Sequence, residues 1–381
     1  MPLVIVLLAV AVFAQGTSEF MLAGLLPDIA EDLAISIPQA GLLTSAFALG
    51  MIVGAPAMAA VSRRWSPRLT LSVFLIVFIA MHAIGAMTDS FALLLATRIV
   101  AALTNAGFLA VTLSTVSALV PPGRIARALA VILGGTTLAL IAGVPGGAVI
   151  GSLLGWRAAM WAVAAISVPA LVAVMVATPQ RAVGTQRPVS LVAELRVLRR
   201  PGLLIPLGLG ALINGATFCA FTYFAPVITE SVGLAAPAVP AVLAVFGIGS
   251  CVGVWTAGRH GDAHSTLILV AGGAALFIGW GSLAVFATVP AAVFTLALLQ
   301  GALSFAVGST LIAASIRAAA SAPTMSGSFA TASLNIGAAA GPILGGIAYA
   351  TAGATGPLVV SAALVLAAAL TFLATPRAGV S

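Results

Sequence analysis

Long apolar stretches follow one another along this chain, separated by short polar breaks. A helix needs about 20 apolar residues to cross a bilayer. Twelve runs of that kind are predicted, over 3–27, 38–61, 69–87, 91–119, 128–151, 157–177, 203–226, 237–257, 265–287, 290–314, 325–349 and 357–375. They are continuous rather than alternating in polarity, which argues for helices and against a barrel. One break is longer: 178–202 is basic, contains Pro188 and Pro201, and reads as a linker. The expected fold is an all-α membrane protein of twelve transmembrane helices. Residues 1–177 form one six-helix half and 203–381 the other.

The two halves match each other. An offset of 199 aligns Gly16 with Gly215, Gly50 with Gly249, Gly54 with Gly253, Gly146 with Gly345 and Gly147 with Gly346. About two such coincidences are expected by chance, so five suggest a repeat. An even number of spans per half makes the repeat parallel, with a pseudo-twofold axis along the membrane normal. A substrate site is then expected between the halves.

Composition adds exclusions. The chain is 62% hydrophobic and 6% charged, where soluble domains carry about 25% charge. The two cysteines, Cys219 and Cys251, form no framework, and His82, His260 and His264 have no ligand spacing, so no metal site is expected. There is no GxxxxGK[ST] loop and no GxSxG elbow, so neither an ATP-driven pump nor a serine hydrolase is indicated, and no enzyme. The first run is too long for a signal-peptide core and no basic residue precedes it.

The net charge of +7 is explained by topology rather than by nucleic acid. All fifteen basic residues are arginine, and thirteen fall on one side of the twelve-span arrangement. Arg157 falls on the other, and Arg98 lies within a span. The positive-inside rule then puts both termini in the cytoplasm.

Glu19 is the one acid within the first span, and a carboxylate at membrane depth is costly and usually functional. Gln15, Ser18, Glu19 and Leu22 share a helix face by their spacing. Asn214, Thr217, Phe218 and Phe221 hold the equivalent positions in the seventh span, so Phe218 stands where Glu19 does. Arg98 lies about 12 Å into the fourth span, and Glu19 about 12 Å into the first from the same surface, at about 1.5 Å per residue. Arg98, Asn105 and Thr112 recur every seven residues. Two readings of Glu19 stand open: a proton site, or half of a fixed ion pair with Arg98. Gln15, Asn105, Asn214, Phe218, Gln300 and Asn335 are the candidate cavity residues, the last two on depth alone. Gly143 and Pro145 in span 5, and Gly341 and Pro342 in span 11, suit either a hinge or a tight packing face.

On these residues the chain resembles the major facilitator superfamily, in particular its twelve-span drug:proton antiporters. Gly341-Pro342-Ile-Leu-Gly345-Gly346 looks like the GPxxGG core of the family's antiporter motif, and span 5 carries the variant GVPGG. Arg98 fits the family's fourth-span arginine, which implies proton transfer. GTSEFMLAGLLPDIA (16–30) resembles the first-span motif of the drug and sugar efflux branch. That run, with AGLLTSAFALGM (40–51), NAGFLAV (105–111), ALINGATF (211–218) and NIGAAAGP (335–342), is similar to the actinobacterial chloramphenicol exporters. One loop departs from the pattern. After span 2 the superfamily reads GxxxDRxGRR, but Ala59 and Arg63 stand at the Gly and Asp positions, leaving Arg64 and Arg68. The second copy keeps Gly258 and Asp262, so Asp262 is expected to carry more of the gating contact.

The resemblance implies antibiotic efflux and chloramphenicol resistance by alternating access. The exchange is driven by the proton gradient without a cofactor, in a functional monomer of the bacterial inner (plasma) membrane. The expected partners are a small amphiphilic drug, protons and membrane lipid, with no nucleic acid. Sugar or metabolite efflux by the same fold is the first alternative. A non-transporting membrane receptor or scaffold is the second.

Overall fold

The computed structural model of the chain describes residues 3–62, 65–119, 125–178, 196–199, 201–321 and 325–374. Among them, twelve helices are long and apolar enough to cross a membrane. We number these spans 1 to 12: Ile5–Gly24, Ile37–Gly54, Pro67–Met87, Phe91–Leu113, Val131–Leu154, Trp156–Val176, Gly202–Thr222, Ala236–Gly261, Ala263–Val285, Pro290–Ala318, Ser326–Ala352 and Gly356–Ala374. The all-helical, twelve-span reading of the sequence holds.

The chain divides into two compact units. One is Met1–Ile35 with Ala46–Gln186; the other is Ser36–Ser45 with Arg187–Ser381. The boundary is therefore not a single cut, because the first residues of span 2 group with the second unit. Of the expected linker at 178–202, residues 179–195 and 200 lie outside the described residues. Arg196–Arg199 forms a single 3-10 turn.

In the first unit, spans 1, 3, 4, 5 and 6 meet in a core of Ile5, Leu8, Val12, Leu71, Phe74, Phe108, Ile132 and Val174. In the second unit, Val197 of the 3-10 turn packs with Leu203, Leu207, Ala319 and Phe329. A separate aromatic group joins Phe221, Phe224, Phe246, Trp280 and Phe305.

Three of the aligned glycine pairs mark where helices cross closely, and those crossings repeat; Gly146, by contrast, has open space around it. In the first unit a Cβ on Gly50 would reach 2.6 Å from Ile99 O, and one on Gly54 would reach 2.9 Å from Leu103 O, so span 2 lies on span 4. In the second unit, Gly249 and Gly253 bring span 8 against the carbonyls of Leu298 and Ala302 in span 10. Gly16 meets Ala139 of span 5, and its counterpart Gly215 meets Gly337 of span 11. Lipid supplies no hydrophobic drive between helices, so close small-residue contacts carry much of the packing.

Spans 5 and 11 differ in how they accommodate proline. In span 5 the helix opens into a π turn at Ala139–Gly143, directly before Pro145. Gly143 abuts Thr17 of span 1 there. Hinge-like distortion and tight packing thus coincide at Gly143 and Pro145. Pro342 instead sits inside the continuous helix Ser326–Ala352. Gly337 and Gly341 press on the Ala211 and Gly215 carbonyls of span 7, so that motif is a packing face. Gly345 and Gly346 make room for the Tyr223 ring, whose hydroxyl donates to Pro342 O at 2.8 Å.

Among the described residues three turns need glycine. Gly155 (φ 84°) joins spans 5 and 6, Gly233 (φ 72°) lies between spans 7 and 8, and Gly353 (φ 72°) joins spans 11 and 12. Spans 8 and 9 run as one helix bent at His264. Gly249 before the bend and Gly279 after it both reach span 10, at Leu298 and Gln300, so the chain folds back there.

Candidate functional site

Span 1 carries the first unit's polar centre. Ser18 follows from the helix as a fully buried hydroxyl, and Arg98 reaches it from span 4. Arg98 NH2 donates to Ser18 O at 2.6 Å, and NH1 donates to Ser18 Oγ at 2.8 Å. The guanidinium lies over the Phe47 ring, 4.4 Å from its centroid. His82 of span 3 completes the group, with Nε2 2.7 Å from Ser18 Oγ and Nδ1 2.8 Å from Phe78 O.

Of the two readings left open for Glu19, this geometry does not show the direct ion pair with Arg98. Among the described residues the ion pairs are Arg157–Asp32 and Arg157–Asp89. Arg98 is instead satisfied by the backbone and hydroxyl of Ser18, the residue preceding Glu19. The partly buried Glu19 has no hydrogen bond or ion pair among those residues. The two side chains are neighbours, as their depth suggested, yet the acid is not neutralised by a direct bond.

The remaining candidates divide by unit. Gln15 is 1% exposed, and neither of its amide atoms has a partner among the described residues. Thr112 is also buried with its hydroxyl unpartnered, and Asn105 is buried on the same helix as Arg98. In the second unit the amides are committed to carbonyls. Asn214 Nδ2 donates to Leu334 O at 2.7 Å, joining span 7 to span 11, and Asn335 Nδ2 donates to Thr331 O at 3.0 Å in its own helix. These donors brace helices and are not free for a ligand. Phe218 is buried on span 7.

Depth in span 10 suggested a cavity residue. Gln300 is fully buried against Gly279 of span 9, where a glycine gives the amide a slot between helices, and its Nε2 donates to Leu276 O at 3.1 Å. Its Oε1 has no partner among the described residues. Arg68, expected in a gate, ties the start of span 3 to the end of span 6 through Val176 O (2.8 Å) and Thr178 O (2.9 Å). Arg64 and the side chain of Asp262 lie outside the described residues.

Two groups were missed by sequence reasoning. His82 entered it only as a histidine without metal-ligand spacing, since nothing in one dimension links 18, 82 and 98. Arg157 entered only as an exception to the charge rule. It binds Asp32 and Asp89 and stacks on Trp156, whose Nε1 donates to Asp32 at 2.9 Å. The Trp156 bond, and after it Arg157, hold the Asp32 carboxyl below its usual range. Asp28 is pushed up, by burial first and then by Glu31. No cluster of three metal-ligating side chains occurs among the described residues.

Twelve apolar helices and a buried cation on a small-residue scaffold define a multi-pass membrane protein of the transporter class. The chain belongs to the Major Facilitator Superfamily, whose family model matches residues 8–330. It is 53% identical over 374 residues to the chloramphenicol resistance protein of Streptomyces lividans, covering 97% of this chain and 95% of that one. It is 31% identical to the inner membrane transport protein YdhP of Escherichia coli K12, covering 94% and 93%. Among solved structures it is similar to a bacterial homologue of the human lysosomal transporter Spinster, with a TM-score of 0.78 and 17% identity over 97% and 95% of the chains. It is also similar to the human organic anion transporter MFSD10, with a TM-score of 0.64 and 19% identity over 96% and 97%. At these identities the solved structures speak for the fold alone.

Proposed function

We propose that this protein exports a small, largely neutral aromatic antibiotic of the chloramphenicol type in exchange for protons. The observation that carries the proposal is the Glu19 carboxylate, held in span 1 beside Arg98 but bonded to neither Arg98 nor any other described residue. A carboxylate at membrane depth with no direct bond partner is costly as an ion, and such residues mark proton or substrate pathways. The 53% relative is named for chloramphenicol resistance, which favours a phenicol over a sugar as substrate.

Glu19 takes a proton from the outer side, and a change of conformation exposes it to the cytoplasm, where it releases the proton as drug binds. Gln15 and Asn105 supply hydrogen-bonding groups. The gradient alone drives the cycle. The protein works as a monomer in the plasma membrane, with both termini cytoplasmic.

The test is Glu19→Gln in a chloramphenicol-sensitive host, paired with everted vesicles. Resistance and drug-induced proton movement are both expected to vanish. Full retained exchange would overturn the reading, and competition by sugars would redirect it to metabolite efflux.

A further inference from the structure

Ser18, His82 and Arg98 come from spans 1, 3 and 4, and all three are buried. Their hydrogen bonds have one consistent direction. A carbonyl only accepts, so His82 Nδ1, 2.8 Å from Phe78 O, carries a proton and donates it. In a neutral ring Nε2 is then an acceptor, so the Ser18 hydroxyl donates to it across 2.7 Å. With its proton turned toward His82, Ser18 Oγ offers its lone pairs to Arg98, whose NH1 donates across 2.8 Å. The order is Arg98 to Ser18, Ser18 to His82, and His82 to Phe78 O. A protonated His82 would reverse the middle bond and put a second cation beside Arg98. The Phe78 ring, 4.2 Å from the imidazole centroid, fixes the ring in place.

The charged and titratable surroundings of His82 are few. Arg98 faces it from span 4. Span 1 brings Ser18 and, one residue on, Glu19. The ionisable residue of span 6 is Arg157, at its far end with Asp32 and Asp89. The acid acting on Arg98 is Glu19.

We infer that His82 is a positioning residue for proton exchange. Through the Ser18 hydroxyl it orients one of the two acceptors that hold Arg98, the other being Ser18 O, and so helps keep the guanidinium from pairing with Glu19. This rests on the reading of Glu19 as the proton carrier. Without the nitrogens of His82 the Ser18 hydroxyl turns to other acceptors, Arg98 NH1 loses its oriented partner, and Glu19 becomes the next anion in reach. A carboxylate beside a guanidinium holds its proton only at lower pH.

The experiment measures chloramphenicol-dependent proton exchange against pH in everted vesicles. The variants are His82→Phe, which keeps the ring and removes both nitrogens, Ser18→Ala, their double variant, and His82→Gln. His82→Phe and Ser18→Ala are expected to move the pH midpoint of exchange down by about one unit. The double variant moves it no further, since both act through one bond, and His82→Gln returns the midpoint most of the way to the parent value by supplying a donor and an acceptor. Drug affinity in detergent stays within about two-fold. Ser18→Ala carries the test if His82→Phe does not fold. An unmoved midpoint in folded variants, or additive shifts, would overturn this inference even if Glu19→Gln abolishes exchange. Exchange persisting in Glu19→Gln would overturn the proton-carrier reading, and this inference with it.

Discussion

Arg98 NH2 lies 2.6 Å from the carbonyl of Ser18, one residue before the Glu19 carboxylate. The cation is anchored by backbone, so the nearby acid is left to respond to its surroundings. A direct ion pair at membrane depth would bind both charges and leave neither available for exchange.

Replacing Arg98 by lysine should separate anchoring from charge. Lysine keeps the cation but cannot span Ser18 O and Oγ with a planar fork. One lost charge-assisted bond is worth about 1.5–3 kcal/mol, so exchange should fall about ten-fold or more while folding is retained. Parental exchange by Arg98→Lys in vesicles would mean that charge alone suffices.

Gly337→Val and Gly341→Val should cost folded yield. Each added side chain would run into a span 7 carbonyl, at Ala211 or Gly215. Overpacking of this kind costs about 1–3 kcal/mol or more. Gly146→Ala and Gly281→Ala, with open space around the added methyl, should melt like the parent. Thermal unfolding in detergent compares the four.

Gln300→Met should leave drug affinity unchanged and lower thermal stability. Its amide fills the slot at Gly279 and bonds Leu276 O, and methionine fits the volume without the hydrogen bond. A changed substrate preference without a stability loss would return Gln300 to the binding site.

The Asp32 site should impose a pH dependence. Its carboxyl is held low, chiefly by Trp156 and then by Arg157. The stabilisation is therefore present above the unfolded value of about 3.9 and lost as pH falls through the lowered folded value. Trp156→Phe should melt below the parent at pH 6, and the gap should narrow below about pH 4. Asp28, shifted upward, works in the opposite sense, so the comparison is best made on an Asp28→Asn background.

Much of the architecture was legible in one dimension, because span length and apolar continuity are local properties of the chain. The offset of 199 also carried real information. Gly50 and Gly54 do in span 2 what Gly249 and Gly253 do in span 8. The polar stripe of span 1 was visible through its i, i+3, i+4 spacing, since a helix fixes which residues share a face.

The amino-acid sequence by itself determined the twelve helices, the repeated glycine positions and the presence of a lone acid at a depth similar to an arginine. Only the tertiary structure decided partners. Whether Arg98 meets Glu19 or Ser18 depends on how spans 1 and 4 are rotated about their axes, which residue spacing does not encode. Whether Gln300 faces a cavity or a glycine slot depends on span 9, which folds back at His264. His82 joins the centre because spans 1, 3 and 4 converge there, and a buried hydrogen-bond chain is a property of that convergence.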